Sequence, residues 1–311
     1  MDNIYNRNIF RGFILKGDLK AAMAYISQFP EQQELYHKYI SLFQDENYLV
    51  YDVDAYLNEI LLVYQKYYRN VFYLSQNEEA AASQMHDRFI KLFPSDNAIP
   101  LDDMENGPIA EAFRSKGYYF LHGKTCGYYG PYIWKTEELK HYTVGLPDGV
   151  QEYTVKFLDD FLSKSWIDYL SFGDMGTGGW SNGDGLIHCV KSSYDLESEA
   201  FQVSLLKHEA QHAADLARYE NMSSGDLEYR AKLVELIYSN ERKMLPRFVE
   251  QADQTKEGNG HALAANRIVD GFNMHLPQLC RSFEELTTDE VQNIARKLFE
   301  ESNEEIILKY T

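Results

Sequence analysis

The stretch LLKHEAQHAADLARY, residues 205–219, decides how the rest of the chain is read, because it carries His208 and His212 four apart with Glu209 directly after the first. On a helix, Leu205, His208, His212 and Asp215 or Leu216 share one face, while Ser204, Lys207, Gln211 and Arg218 make a polar one. The histidines are therefore expected to point into the protein. Alanines at 210, 213, 214 and 217 favour the helix and let a neighbour pack closely. A spacing of four stacks two imidazoles one turn apart, so both can reach a single ion at about 2.0–2.1 Å. Glu209 lies roughly 100° around the helix from His208, where it can reach a metal-bound water and act as general base. The competing reading is an amphipathic helix whose two histidines are packing residues.

Outward from this helix, the pattern divides the chain in two. Residues 18–93 run in helical period, with Pro30 and Pro94 at segment ends, and predict a helical N-terminal region over 1–100. The turn-rich PSDNAIPLDDMENGP, residues 94–108, is the expected boundary. Beyond it, YYFLHG, YYGPYIW, IDYLSFG and GLIHCV read as short strands, and HYTVGLPDGVQEYTVKFL as a hairpin turning at Pro147-Asp148-Gly149. From Glu197 the chain is helical again. The expectation for 101–311 is a small mixed or antiparallel sheet followed by helices, an α+β arrangement. The glycine-rich GDMGTGGWSNGDG, residues 173–185, lacks the lysine of a phosphate loop and reads as a loop between strands.

HEAQH on such a helix resembles the active-site helix of the zincin metallopeptidases. The resemblance covers roughly residues 118–239 and implies one Zn²⁺ per chain on His208 and His212, with Glu209 as catalytic base. It also implies a sheet whose edge strand holds an extended substrate, for which GLIHCV is the candidate. A catalytic zinc usually has three protein ligands. The metzincin pattern fails, since Asp215 stands where its glycine belongs and no histidine lies near Glu220. The gluzincin pattern takes a glutamate from a following helix, and SSGDLEYRAKLVELIYS, residues 223–239, supplies one capped by Ser224 or Asp226. Glu228, sixteen residues after His212, is the chosen ligand, and Glu235 the alternative. Lys232 stands where several gluzincins carry an aspartate, and Asp215 is the substitute carboxylate that orients a ligand histidine or the third-ligand helix. Negative charge developing on a carbonyl oxygen calls for a stabiliser. His261 is the candidate, with Arg267, His275 or a tyrosine as alternatives, while His188 reads as structural.

Bulk composition narrows the partners. A formal net charge of −18 disfavours nucleic acid and anionic membrane surfaces, and no apolar run approaches a membrane span. Three cysteines, far apart, suggest neither a disulfide framework nor a cysteine zinc site, so a cytoplasmic location is expected. The 24 tyrosines are expected to bury a ring and wet a hydroxyl. Together these features point to a cytoplasmic zinc metallopeptidase acting on a peptide or protein substrate, with the N-terminal helices available to a protein partner. A scaffold with a metal-stabilised zincin fold, or a zinc hydrolase acting on a non-peptide bond, are the alternatives.

Overall fold

The structure, a computed structural model, describes residues 4–93, 107–181, 186–252, 260–279 and 282–311. It is a mixture of helices and small sheets, an α+β arrangement. Two compact units emerge, Met1–Thr136 with Asp159–Thr177, and Glu137–Leu158 with Gly178–Thr311. The boundary expected near residue 100 falls outside the described residues. The units divide instead where the chain leaves the first for a hairpin of the second and then returns. Residues 107–136 stay with the N-terminal helices because Ile109, Phe113, Phe120 and Ile133 enter the same apolar core as Ile14, Ile60 and Met85.

The first unit holds α1 (Arg7–Leu15), α2 (Leu19–Ile26), α3 (Gln33–Tyr39), α4 (Ala55–Tyr68), α5 (Glu78–Leu92), α6 (Pro108–Arg114) and α7 (Ser165–Leu170). Asn6, Asp18, Asp54 and Asn77 cap α1, α2, α4 and α5 through side-chain oxygens that accept backbone N–H groups. Strands β1 (Tyr119–Leu121), β4 (Tyr132–Trp134) and β7 (Ser163–Lys164) pair antiparallel, and β2 (Lys124–Thr125) pairs with β3 (Tyr128–Tyr129). The expected strand IDYLSFG is helical in α7, because Trp166, Tyr169 and Leu170 bury one face at helical spacing. Several tyrosines also depart from the expected wet hydroxyl. The buried Tyr39 hydroxyl donates to the Leu170 carbonyl at 2.5 Å, and that of Tyr169 to Gln65 Oε1 at 2.8 Å.

The second unit is built on a four-stranded mixed sheet, in the order β5 (Thr136–Leu146), β6 (Gly149–Asp159), β9 (Leu186–Val190), β8 (Gly179–Ser181). β5 and β6 form the expected hairpin, with Gly149 at φ +132° in the region open to glycine. β9 pairs parallel with β6 and antiparallel with β8. GLIHCV is therefore an inner strand, not the expected edge, and β8 lies outside it. That edge comes from the glycine-rich stretch expected to be a plain loop; its residues 182–185 lie outside the described ones. His188, expected to be structural, stacks on Trp180 with ring centroids 4.9 Å apart and planes within 3°.

Helices α8 (Glu199–Phe201), α9 (His208–Arg218), α10 (Ser224–Tyr238), α11 (Met244–Gln251), α12 (Gly260–Leu279) and α13 (Thr288–Tyr310) complete this unit. Phe157, Ile187, Phe201, Leu233, Ile268 and Phe299 share its core. Among the described residues no helix is long and apolar enough to cross a membrane.

Candidate metal centre

The HEAQH segment is the first turn and a half of α9, entered directly from a π-helical stretch, Gln202–Lys207. Such stretches often lie at functional sites, although two others, Ile40–Gln44 and Arg69–Tyr73, occur in the first unit. Both histidines point inward as expected, with side chains 10% and 15% exposed, but Gln211, expected on the polar face, is buried too, because α9 is packed on more than one side.

Five residues after α9 the chain begins α10, capped by Ser223, one position before the expected Ser224. His208 meets Glu235, late in α10, whereas His212 meets Glu228, early in it. The two helices therefore run antiparallel. His208 Nε2 lies 3.6 Å from Glu228 Oε2, and His212 Nε2 lies 3.8 Å from Glu228 Oε1. One ligand atom from each of His208, His212 and Glu228 falls within 4.8 Å of the others. The structure thus brings the chosen three together.

Glu235 has a different place from Glu228. Its Oε1 accepts from His208 Nδ1 at 2.7 Å, which leaves the lone pair of that imidazole on Nε2, the nitrogen facing Glu228. Burial opposes a charge on His208, but Glu235 and the other carboxylates nearby outweigh it and raise the pKa. His212 is driven the other way, to about 3, by burial and by the neighbouring His208. It is neutral near pH 7, and its buried Nε2 has no hydrogen-bond partner among the described residues. Burial also works against ionised Glu228, yet the three surrounding histidines hold its pKa at about 2. The neutral imidazole of His212, Nε2 of His208 once that ring gives up its proton, and an ionised carboxylate suit zinc, so the residues present fit the ion.

Glu209 lies beside this cluster, Oε2 being 3.7 Å from His212 Nδ1. Burial, with Glu228 and Glu235 adding to it, lifts its pKa above the ordinary value although His208 pulls the other way. Glu209 lines a cleft of about 420 Å³ shared with His208, Glu235, Gly179 of β8 and Tyr194. His261 lines it too, at the start of α12, where Nδ1 sits 2.7 Å from Glu228 Oε2 and the side chain is 65% exposed.

The remaining candidates separate. Arg267 is spent on structure, its Nη1 donating to Asp226 at 2.9 Å with the guanidinium over the Tyr229 ring. His275 is fourteen residues after His261 on α12, roughly 21 Å along the axis, and does not line the cleft. Asp215 ties α9 to α10, the helix that carries Glu228: its Oδ2 accepts from Arg230 Nε at 2.8 Å. Sequence reading missed the cleft wall formed by Arg247, Phe248 and Gln251 of α11. The only signal was their helical spacing in MLPRFVEQ, which marks a face without saying what the face meets.

Comparison with protein-family models, with curated protein sequences and with solved structures finds no match to this chain.

Proposed function

We propose that this chain is a zinc-dependent hydrolase of zincin type, most specifically a metallopeptidase. The observation that carries the reading is the convergence of His208, His212 and Glu228 on one point, with the Glu209 carboxylate beside them in an open cleft. A site kept only for structure needs the three ligands and has no use for Glu209.

When bound, the ion supplies Lewis acidity, polarising a carbonyl and making a water acidic enough to attack near neutral pH. His208, His212 and Glu228 would hold it, and Glu235 fixes the tautomer and tilt of His208. Glu209 accepts the proton of the attacking water and delivers it to the leaving amine. The mixed sheet ahead of α9 and the antiparallel ligand helix α10 support the zincin-type reading. β8, the outer strand of the sheet, brings Gly179 into the cleft lining, on the side where an extended substrate would lie. His261, exposed at the cleft with Nδ1 2.7 Å from Glu228 Oε2, is the side chain placed to serve the developing oxyanion.

The test is elemental mass spectrometry on the purified chain, followed by Glu209→Gln. We expect about one zinc per chain in both proteins, and turnover of a peptide library reduced by roughly 10² or more in the variant. Wild-type turnover by Glu209→Gln would remove the mechanism. An ester library run in parallel separates peptide from non-peptide hydrolysis.

A further inference from the structure

One charged side chain of the cleft is left over from the metal chemistry. Lys232 follows Glu228 by one turn of α10 and is only 4% exposed. An ammonium has three N–H donors. Here Nζ donates to Gln251 Oε1 at 3.2 Å and lies over the Phe248 ring, 4.3 Å from its centroid. Among the described residues no carboxylate oxygen comes within ion-pair distance of it. A buried cation with one neutral amide and a ring is short of a counter-charge, an arrangement that costs free energy unless something else completes it. Burial accordingly lowers the pKa of Lys232, although Glu235 and Glu228 act against this.

The position of Lys232 says what could complete it. Lys232, Phe248 and Gln251 line the same cleft as His208 and Glu209. Arg247, one turn before Gln251 on α11, lines it as well; its side chain is 56% exposed and pairs with Glu241 at 3.3 Å. One wall of the cleft is thus cationic and apolar, while the metal cluster forms another part of the lining.

We propose that Lys232, assisted by Gln251 and Arg247, is a carboxylate-recognition subsite that selects peptides presenting a carboxylate close to the bond to be cleaved. The proposal deepens the hydrolase reading and rests on it for the word substrate, but not for the binding itself. The carboxylate can be a C-terminal α-carboxylate or an aspartate or glutamate side chain. Lys232 supplies the charge, Gln251 holds the ammonium in place, and Phe248 packs against the apolar part of the same residue.

Binding is measured by isothermal titration calorimetry on the full chain, with and without zinc, so that no turnover is needed. Three probes are compared: acetyl-Ala-Ala-Leu with a free carboxyl, its C-terminal amide, and acetyl-Ala-Glu-Leu amide. We expect at least one acidic probe to bind tenfold or more tightly than the neutral amide. That preference is expected to vanish in Lys232→Met and to weaken severalfold in Arg247→Ala, whose exposed position makes misfolding a poor explanation. The free acid alone being preferred identifies an α-carboxylate site; preference for the glutamyl amide identifies a side-chain site. Equal binding of acidic and neutral probes, a preference that survives Lys232→Met, or no binding at millimolar concentration overturns the proposal. Acid-selective binding by a chain that hydrolyses nothing would retain the subsite and reject the hydrolase.

Discussion

His208 is held from two sides, by Glu235 at Nδ1 and by the carboxylate of Glu228 facing Nε2. From the residues alone these two glutamates compete for one role, since they are seven apart on a helix and share a face. In the folded chain they divide it, because α10 runs past α9 and offers one carboxylate to each nitrogen of the ring. Removing the orienting partner should therefore weaken the metal without removing a ligand. Glu235→Ala is expected to lower zinc affinity by roughly 10- to 100-fold, read by competition with a chelating dye. Unchanged affinity would show that the hydrogen bond does not orient the ring.

At the scale of elements, α9 and α10 are tied by the Asp215–Arg230 pair, both side chains 2% exposed or less. Arg230 also donates to Ser302 and Asn303 at 2.7 Å each, which brings α13 into the same junction. Burial lifts the Asp215 pKa although Arg230 opposes it. Taking away one partner strands the other in the interior. Asp215→Ala is expected to cost about 3–5 kcal/mol, measured from urea midpoints, with zinc affinity falling as the helices loosen. A loss under about 1 kcal/mol would mean that the pair does not hold the ligand helix. In the first unit, α1 is tied through Arg7 and Arg11 to Asp174, just after α7. Partial burial works against ionising Asp174, but the two guanidinium groups prevail and hold its pKa below the ordinary value. A depressed folded-state pKa gives stability that is present above the unfolded value of about 4 and lost as pH falls further. The contribution is modest, under about 1 kcal/mol, because these side chains are partly exposed. The midpoint difference between wild type and Asp174→Asn should hold at neutral pH and shrink below pH 4. A difference that persists at pH 2 would locate the effect elsewhere.

At the scale of the molecule, the two units have separate apolar cores, and the His208, His212 and Glu228 cluster belongs wholly to the second. A ligand that binds only the folded form stabilises by mass action, about 2.7 kcal/mol at a hundredfold excess over Kd. Zinc should then slow amide hydrogen exchange in 137–158 and 186–252 and leave 4–93 unchanged. Hydrogen-exchange mass spectrometry with zinc and with a chelator checks this, and uniform protection across both units would contradict separate stabilisation.

Much of this was open to a reader of the sequence. Helical period, caps and the spacing of His208, Glu209 and His212 are local properties, set by a repeat of 3.6 residues that any helix obeys. The inward face of α9 and the mixture of helix and sheet follow from them. Other features needed the folded chain. A short apolar run such as IDYLSFG does not choose between strand and helix until neighbouring elements bury one of its faces. The boundary between units moved because a linker is defined by what fails to pack across it, and residues 107–136 do pack. Whether GLIHCV is an edge depends on β8, drawn from a stretch with no strand signature. Glu228, which faces both imidazoles, Glu235, which holds His208, and Lys232, a buried cation, all sit on one helix, and their spacing is plain in the sequence. Which of them meets an imidazole and which meets Gln251 is decided by the approach of α9 and α11, a long-range contact that no local pattern encodes.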